Sequence, residues 1–94
     1  MLWYHINMIT LLDFYADWCG PCKAMEPIFA EIEKECAQKV EFKKIDVEVE
    51  GAMASQYGVQ GIPTYILVKD GKEVSRKIGA MPKAVLTSWI NSNL

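Results

Sequence analysis

The chain has 94 residues, of which 51% are hydrophobic and 23% charged, so it suits one folded domain and is too apolar for a disordered protein. Ten Lys and Arg residues against twelve Asp and Glu residues give a net charge of -2, which excludes the basic surface that a nucleic acid needs. No run approaches the roughly 18 apolar residues of a membrane-spanning helix, and no lysine or arginine precedes Lys23, so no secretory signal is expected. We therefore expect residues 1–94 to form a single cytoplasmic domain that binds neither nucleic acid nor membranes.

The apolar pattern predicts secondary-structure elements in the order βαβαββα. They are a strand at 10–16, a helix from Pro21 to about Gln38, a strand at 40–47, a short helix at 51–57, strands at 62–68 and 73–78, and a helix opened by Pro82. The first strand is apolar except at Asp13, as is typical of a strand buried on both faces. Strand–helix–strand order implies a parallel crossover, and Asp70-Gly71 predicts an antiparallel hairpin. The expected fold class is α/β, with a mixed four-stranded central sheet flanked by helices on both faces.

Two of the predicted helices carry an apolar stripe that indicates a buried face. In the first helix the stripe consists of Met25, Phe29, Ile32 and Cys36. In the last helix it consists of Val85, Leu86, Trp89 and Ile90. Cys36 is therefore expected to be a small buried hydrophobic residue rather than a regulatory thiol.

Cys19 and Cys22 form the pair on which the functional hypothesis depends. With two residues between them and the second in the first turn of a helix, their Cα atoms should lie about 5 Å apart, within the range of a disulfide. Cys19 lies just before the helix, where free N–H groups and the positive end of the dipole favour a thiolate, so it is the expected nucleophile. Cys22 is placed to attack the resulting mixed disulfide. Gly20 and Pro21 add no charge that would stabilise the thiolate strongly, which favours a reductant over an oxidant.

Further motifs surround this pair and occur in a recognisable order. They are Asp13-Phe14-Tyr15-Ala16, Trp18-Cys19-Gly20-Pro21-Cys22-Lys23, Gly61-Ile62-Pro63-Thr64 and Ile78-Gly79-Ala80. Through them the chain resembles the thioredoxin family from about Thr10 to Leu94. The resemblance implies a thioredoxin-like fold and an electron carrier that reduces protein disulfides by dithiol exchange. It also implies a thioredoxin reductase as electron donor, disulfide-containing client proteins, and no cofactor besides the Cys19–Cys22 disulfide.

The resemblance also implies roles for individual residues. Asp13 is expected to be a buried carboxylate that assists proton transfer to and from Cys22, with Lys44 as its partner lysine. The Ile62–Pro63 peptide bond is expected to be cis, with the Ile62 backbone pairing with an extended substrate segment. The substrate-binding residues implied in this way are Trp18, Gly20, Pro21, Gly61, Ile62, Pro63, Gly79 and Ala80.

Three other kinds of protein are alternatives to this hypothesis. A zinc site is disfavoured, because only Cys36 and His5 remain as further ligands and neither has ligand-like spacing. A glutathione-dependent, glutaredoxin-like reductase shares the fold, yet Ala80-Met81-Pro82 lacks the glycine pair and acidic residue of that family. A non-catalytic docking module on the same fold is the remaining alternative, and it would have no need of either cysteine or of Asp13.

The main departure from the family pattern is the short segment before the first predicted strand. A parallel crossover needs at least about 10 to 12 residues, and only Met1 to Ile9 precede the matched region, so the first strand–helix unit is expected to be largely missing. The apolar residues of this arm are Leu2, Trp3, Tyr4 and Ile6. We expect them to cover the exposed flank of the sheet or to extend the first strand. A monomer is expected, with a homodimer as the alternative if an apolar patch stays uncovered.

Overall fold

A computed structural model describes residues 9–94, and the predicted order of elements is confirmed. The strands are β1 (Ile9–Tyr15), β2 (Val40–Asp46), β3 (Thr64–Lys69) and β4 (Lys72–Ile78), and the helices are α1 (Gly20–Cys36), α2 (Gly51–Gln56) and α3 (Lys83–Ser92). Apart from Ile9, the predicted N-terminal arm lies outside the described residues. That residues 1–94 form one domain therefore stays a prediction.

The four strands form one mixed sheet in the order β2-β1-β3-β4. β1 runs parallel to β2, as the α1 crossover predicts, and antiparallel to β3. β3 and β4 form the expected hairpin, in which both central residues, Asp70 and Gly71, have positive φ angles of 54° and 78°. This conformation matches the twist of the two strands. The predicted strand at 62–68 begins only at Thr64, because Pro63 has no N–H to donate to a neighbouring strand.

Helices cover both faces of the sheet, so β1 is buried on both sides as predicted. One hydrophobic core lies on the face that carries α1 and α3, and its buried residues include Leu11, Met25, Phe29, Leu67, Leu86, Trp89 and Ile90. A second core lies on the opposite face beneath α2 and contains Leu12, Phe14, Ile45 and Ile66, with Met53 and Tyr57 packed against it. Each fully buried side chain of this size contributes about 1.5 to 3 kcal/mol to folding. Because side chains alternate along a strand, Asp13 lies on the same face of β1 as Leu11, the face of α1.

The prediction of the buried face of α3 is wrong at Val85. Leu86, Trp89 and Ile90 are buried, but Val85 is 45% exposed. β4 is an edge strand of the sheet, and no described element lies beyond it. The side of α3 that faces this edge, where Val85 and Lys77 line a shallow groove, is therefore left open. Cys36, in contrast, is buried as expected.

Candidate active site

Cys19 and Cys22 lie at the N-terminal end of α1, directly after the end of β1. Cys19 is the N-cap residue of the helix, and Pro21 occupies the first turn, where its missing N–H is not needed. The two cysteines form a disulfide with a Cα–Cα distance of 5.2 Å, close to the value that their spacing predicts. The backbone N–H of Cys22 donates a hydrogen bond to Sγ of Cys19 over 3.1 Å. A thiolate at Cys19 would therefore gain both this donor and the positive end of the helix dipole.

The surroundings of the pair leave little of either sulfur open to solvent. Cys19 is 4% exposed and Cys22 is 5% exposed, so accessibility does not distinguish an attacking from a resolving cysteine. Their hydrogen bonding differs, because only the Cys19 sulfur accepts the Cys22 N–H. The cysteines pack with buried Ala16, and Tyr15, Val47 and Ile62 lie against this cluster. Both sulfurs therefore lie within a small apolar cluster and open only slightly to solvent.

Asp13 lies in the centre of the sheet, opposite Lys44 of β2 and Tyr65 of β3. It is only 5% exposed, and among residues 9–94 its Oδ1 has no hydrogen-bond partner. Burial raises the pKa of Asp13 from 3.8 to about 6, while the positive charge of Lys44 lowers it and the negative charge of Glu26 raises it further. A carboxyl group with a pKa near 6 can exchange a proton near neutral pH, as a general acid or base must.

Lys44 influences Asp13 through its charge, while its closest contacts are with other groups. Its Nζ lies 3.9 Å from a carboxylate oxygen of Glu26 and 4.6 Å from the centre of the Tyr15 ring. Lys44, Glu26 and Tyr15 therefore form a small group of polar and aromatic side chains beside Asp13. Glu26 and Tyr15 were not among the site residues predicted from the sequence.

The helical and strand spacing of the sequence could have indicated both of these residues. Glu26 follows Cys22 by four positions on α1, which places the two side chains on one face of the helix. Tyr15 follows Asp13 by two positions on β1, which places both on one face of the sheet. The spacing from Cys22 and from Asp13 is therefore the sequence signal that points to Glu26 and Tyr15.

The segment before β3 lies on the other side of the cysteines. The Ile62–Pro63 peptide bond is cis, as expected, and the carbonyl oxygen of Ile62 lies 3.9 Å from Sγ of Cys19. The N–H of Gly79 donates to the carbonyl of Pro63 over 2.8 Å, and the Thr64 hydroxyl donates to the carbonyl of Gly61. Gly61, Ile62, Pro63 and Gly79 are therefore brought together.

Trp18 provides an exposed aromatic surface beside this segment. Its side chain is 70% exposed, and its indole N–H donates to a carboxylate oxygen of Glu48 over 3.2 Å. A shallow pocket lies between Trp18 and the segment, lined also by Val47, Ala54, Val59, Gln60, Gly61 and Ile62. Gly20 and Pro21 are exposed in the first turn of α1, and Ala80 is exposed in the loop after β4. The exposed side of the disulfide is therefore apolar and open.

The described residues fit neither a metal site nor a membrane-spanning segment. Between residues 9 and 94, no three His, Cys, Asp or Glu side chains are grouped so that they could hold a metal ion. His5 lies outside this range. None of the helices in the described part of the chain is long and apolar enough to cross a membrane.

An exchangeable disulfide at a helix N-terminus, a buried carboxyl group on the preceding strand β1 and an open apolar surface beside the cysteines define a thiol–disulfide oxidoreductase. Comparison with known proteins agrees. The family model described as Thioredoxin matches residues 5–92. The chain is 44% identical to a thioredoxin of Haemophilus influenzae, over 89% of this chain and 78% of that protein. It is 41% identical to a thioredoxin of Bacillus subtilis, over 92% of this chain and 83% of the relative.

A solved structure shows the same likeness in three dimensions. A mutant thioredoxin from Halobacterium salinarum superposes with a TM-score of 0.84 and 41% sequence identity, over 92% of this chain and 74% of that chain. The chain belongs to the thioredoxin family. It is a protein-disulfide reductase whose redox group is its own Cys19–Cys22 disulfide. This assignment favours a thioredoxin over the glutaredoxin-like and non-catalytic alternatives.

Proposed function

We propose that Cys19 is the attacking thiolate and Cys22 the resolving thiol of this protein-disulfide reductase. The observation that carries the assignment is the hydrogen bond from the Cys22 N–H to Sγ of Cys19, which favours the thiolate at Cys19. In the reduced protein the Cys19 thiolate attacks one sulfur of the client disulfide. The client S–S bond breaks, a mixed disulfide forms, and the first client sulfur leaves as a thiolate that takes a proton.

The second half of the reaction closes the Cys19–Cys22 disulfide. The Cys22 thiol loses its proton and attacks the Cys19 sulfur, the mixed disulfide breaks, and the second client sulfur leaves. Two electrons have then passed from the dithiol to the client. Asp13 is proposed to accept the Cys22 proton, since its raised pKa of about 6 leaves it ionised yet basic enough near neutral pH. Lys44 is proposed to tune that pKa through its charge.

The exposed side of the disulfide is proposed to bind the client as a short extended segment. The proposal is supported by the Ile62 carbonyl, which lies 3.9 Å from the Cys19 sulfur and could accept a hydrogen bond from the client backbone as a neighbouring strand would. Trp18 and the apolar surface around Gly61, Pro63 and Gly79 would contact the client side chains. Gly20, Pro21 and Ala80 complete the proposed surface.

Electrons for the next cycle are proposed to come from a thioredoxin reductase, and the clients are proteins with accessible disulfides. A reducing compartment such as the cytoplasm suits a chain with three cysteines, of which Cys36 is unpaired and the other two form an exchangeable disulfide. A monomer is the proposed oligomeric state. Sedimentation of the full chain tests it, since a doubled mass would indicate the homodimer.

Trapping of the mixed disulfide tests the two cysteine roles directly. Cys22→Ser can still attack a client but cannot release it, so it should accumulate a covalent complex that is visible on a non-reducing gel. Cys19→Ser should accumulate none. Cys36→Ser is the matched control, because it removes a cysteine that lies outside the site, and it should turn over normally. Equal trapping by the Cys19 and Cys22 variants would contradict the assignment.

A further inference from the structure

The segment between α2 and β3, residues 57–63, is held at both ends by β4 and the residue that follows it. At its start, Nη2 of Arg76 donates a hydrogen bond to the carbonyl oxygen of Tyr57 over 2.7 Å. At its end, the N–H of Gly79 donates a hydrogen bond to the carbonyl oxygen of Pro63 over 2.8 Å. Arg76 belongs to β4, and Gly79 directly follows the last residue of that strand. The segment that carries Ile62 is therefore attached at two points to this edge strand and the residue after it.

Arg76 is itself fixed by a second contact. Its Nε and Nη2 donate to the two carboxylate oxygens of Glu73 over 2.6 Å and 2.7 Å. A planar guanidinium that grips a carboxylate in this forked way has little freedom left. The donor that reaches Tyr57 is therefore held in a fixed position on β4.

The Tyr57 carbonyl needs such a donor because it lies at the end of a helix. The last four carbonyl groups of a helix have no partner within it. At the end of α2, the N–H of Gly58 donates to Ser55 and the N–H of Val59 donates to Ala54, a turn that the positive φ of 64° at Gly58 permits. Arg76 then provides the donor for Tyr57. This contact fixes the direction in which the chain leaves α2 toward Ile62.

We propose that Arg76 is a positioning residue of the reductase, which acts by holding the segment that presents the Ile62 backbone to the client. The proposal rests on the docking role of Ile62 described above. Because the Ile62 carbonyl lies 3.9 Å from the Cys19 sulfur, a shift of the segment changes how a docked client meets that sulfur. The hydrogen bonds of Arg76 are to Glu73 and Tyr57, not to the cysteines or Asp13. Its loss should impair docking and leave the intrinsic reactivity of the thiols unchanged.

The test compares two substrates that differ in whether they can dock through a backbone. Insulin offers a disulfide within a polypeptide, while 2-hydroxyethyl disulfide has no peptide group. For Arg76→Ala, the rate constant for reduction of insulin by the pre-reduced protein should fall about fivefold, while that for 2-hydroxyethyl disulfide stays the same. Arg76→Lys keeps a cationic donor without the fork and should recover part of the loss. Lys77→Ala, the matched control, removes the neighbouring charge from the opposite face of β4 and should change neither rate.

The outcomes separate this proposal from the one on which it rests. If Arg76→Ala slows both substrates equally, or neither, Arg76 does not position the segment and the proposal is overturned. If the wild-type protein itself shows no preference for insulin, the docking surface is wrong, and the role of Arg76 falls with it. If Arg76→Ala does not fold, Glu73→Gln takes its place. Glu73→Gln removes the charge of the carboxylate that holds the Arg76 guanidinium. The rate constant for insulin should again fall while that for 2-hydroxyethyl disulfide stays the same, but the fall should be smaller.

Discussion

The two sides of the Cys19–Cys22 disulfide differ in exposure and in chemistry. The inner side consists of Asp13 and its neighbours Tyr15, Glu26 and Lys44, and Asp13 is 5% exposed. The outer side is the surface around Trp18, which is 70% exposed, together with the segment at 57–63. Charge and burial on the inner side set the pKa of Asp13, while the shape and backbone groups of the outer side are proposed to select the client disulfide. Substitutions on the two sides should therefore change different measurements.

The largest expected effect belongs to the inner side and concerns stability. Because the pKa of Asp13 is raised from 3.8 to about 6 in the folded protein, the folded state binds this proton more tightly than the unfolded state. Wild-type stability should therefore fall as the pH rises from about 4 to about 6, by about 3 kcal/mol in total. Asp13→Asn removes the ionisable group. The amount by which its free energy of unfolding exceeds that of the wild type should therefore be near zero at pH 4 and should reach about 3 kcal/mol above pH 6.

Urea unfolding of both proteins across this pH range measures the difference. Asp17→Asn is the matched control, because it removes one carboxylate from an exposed position and separates the effect of burial from that of net charge. A constant difference between Asp13→Asn and the wild type at every pH would contradict the prediction.

Asp13→Asn should also slow the release of the client. Without the carboxylate, Cys22 must lose its proton to solvent, so decay of the mixed disulfide at pH 7 should slow about tenfold. In the wild type this step should accelerate as the pH rises through about 6, where Asp13 becomes a base. Single-turnover reactions quenched with acid measure the amount of mixed disulfide over time. An unchanged rate would show that Asp13 has no part in resolving the complex.

The outer side should respond in the choice of substrate. Trp18→Ala should lower the rate constant for protein disulfides about fivefold and leave 2-hydroxyethyl disulfide nearly unaffected, because the lost surface contacts only a docked chain. Val49→Ala is the matched control, since Val49 is 78% exposed but does not line the pocket beside Trp18. An equal fall in the rate constants for both substrates would show that Trp18 affects the reactivity of the thiols rather than the docking of the client.

The smallest expected effects are opposite shifts in the pKa of Asp13. Lys44→Met removes a positive charge and should raise this pKa, while Glu26→Gln removes a negative charge and should lower it. Each shift should stay below about one unit, because solvent screens partly exposed charges. NMR titration of the Asp13 carboxyl carbon measures both. Shifts in the same direction would show that the two substitutions act through structure rather than charge.

Sequence patterns predicted the architecture and the cysteine pair because these depend on local spacing. The buried strand around Asp13, the helix that starts at Cys19 and the Asp70-Gly71 hairpin each follow from a few adjacent residues. Contacts between elements were harder to predict. Arg76 lies on an edge strand among exposed charged residues, and nothing in that pattern shows that it reaches the Tyr57 carbonyl. The exposure of Val85 likewise depends on the absence of a described element beyond β4.

The position of β1 in the sheet has a consequence for how the protein folds. Ile9 pairs with Lys69 and Phe14 with Thr64, so the centre of the sheet joins parts of the chain that are far apart in sequence. The β3–β4 hairpin and α1 depend on local contacts and can form early, whereas this pairing must close a long loop of chain. Cys19 follows β1, and Ile62 precedes β3, so the sulfur and the backbone that faces it meet only when this pairing forms. We expect reductase activity to return during refolding with the slowest structural step, which makes it a measure of complete folding.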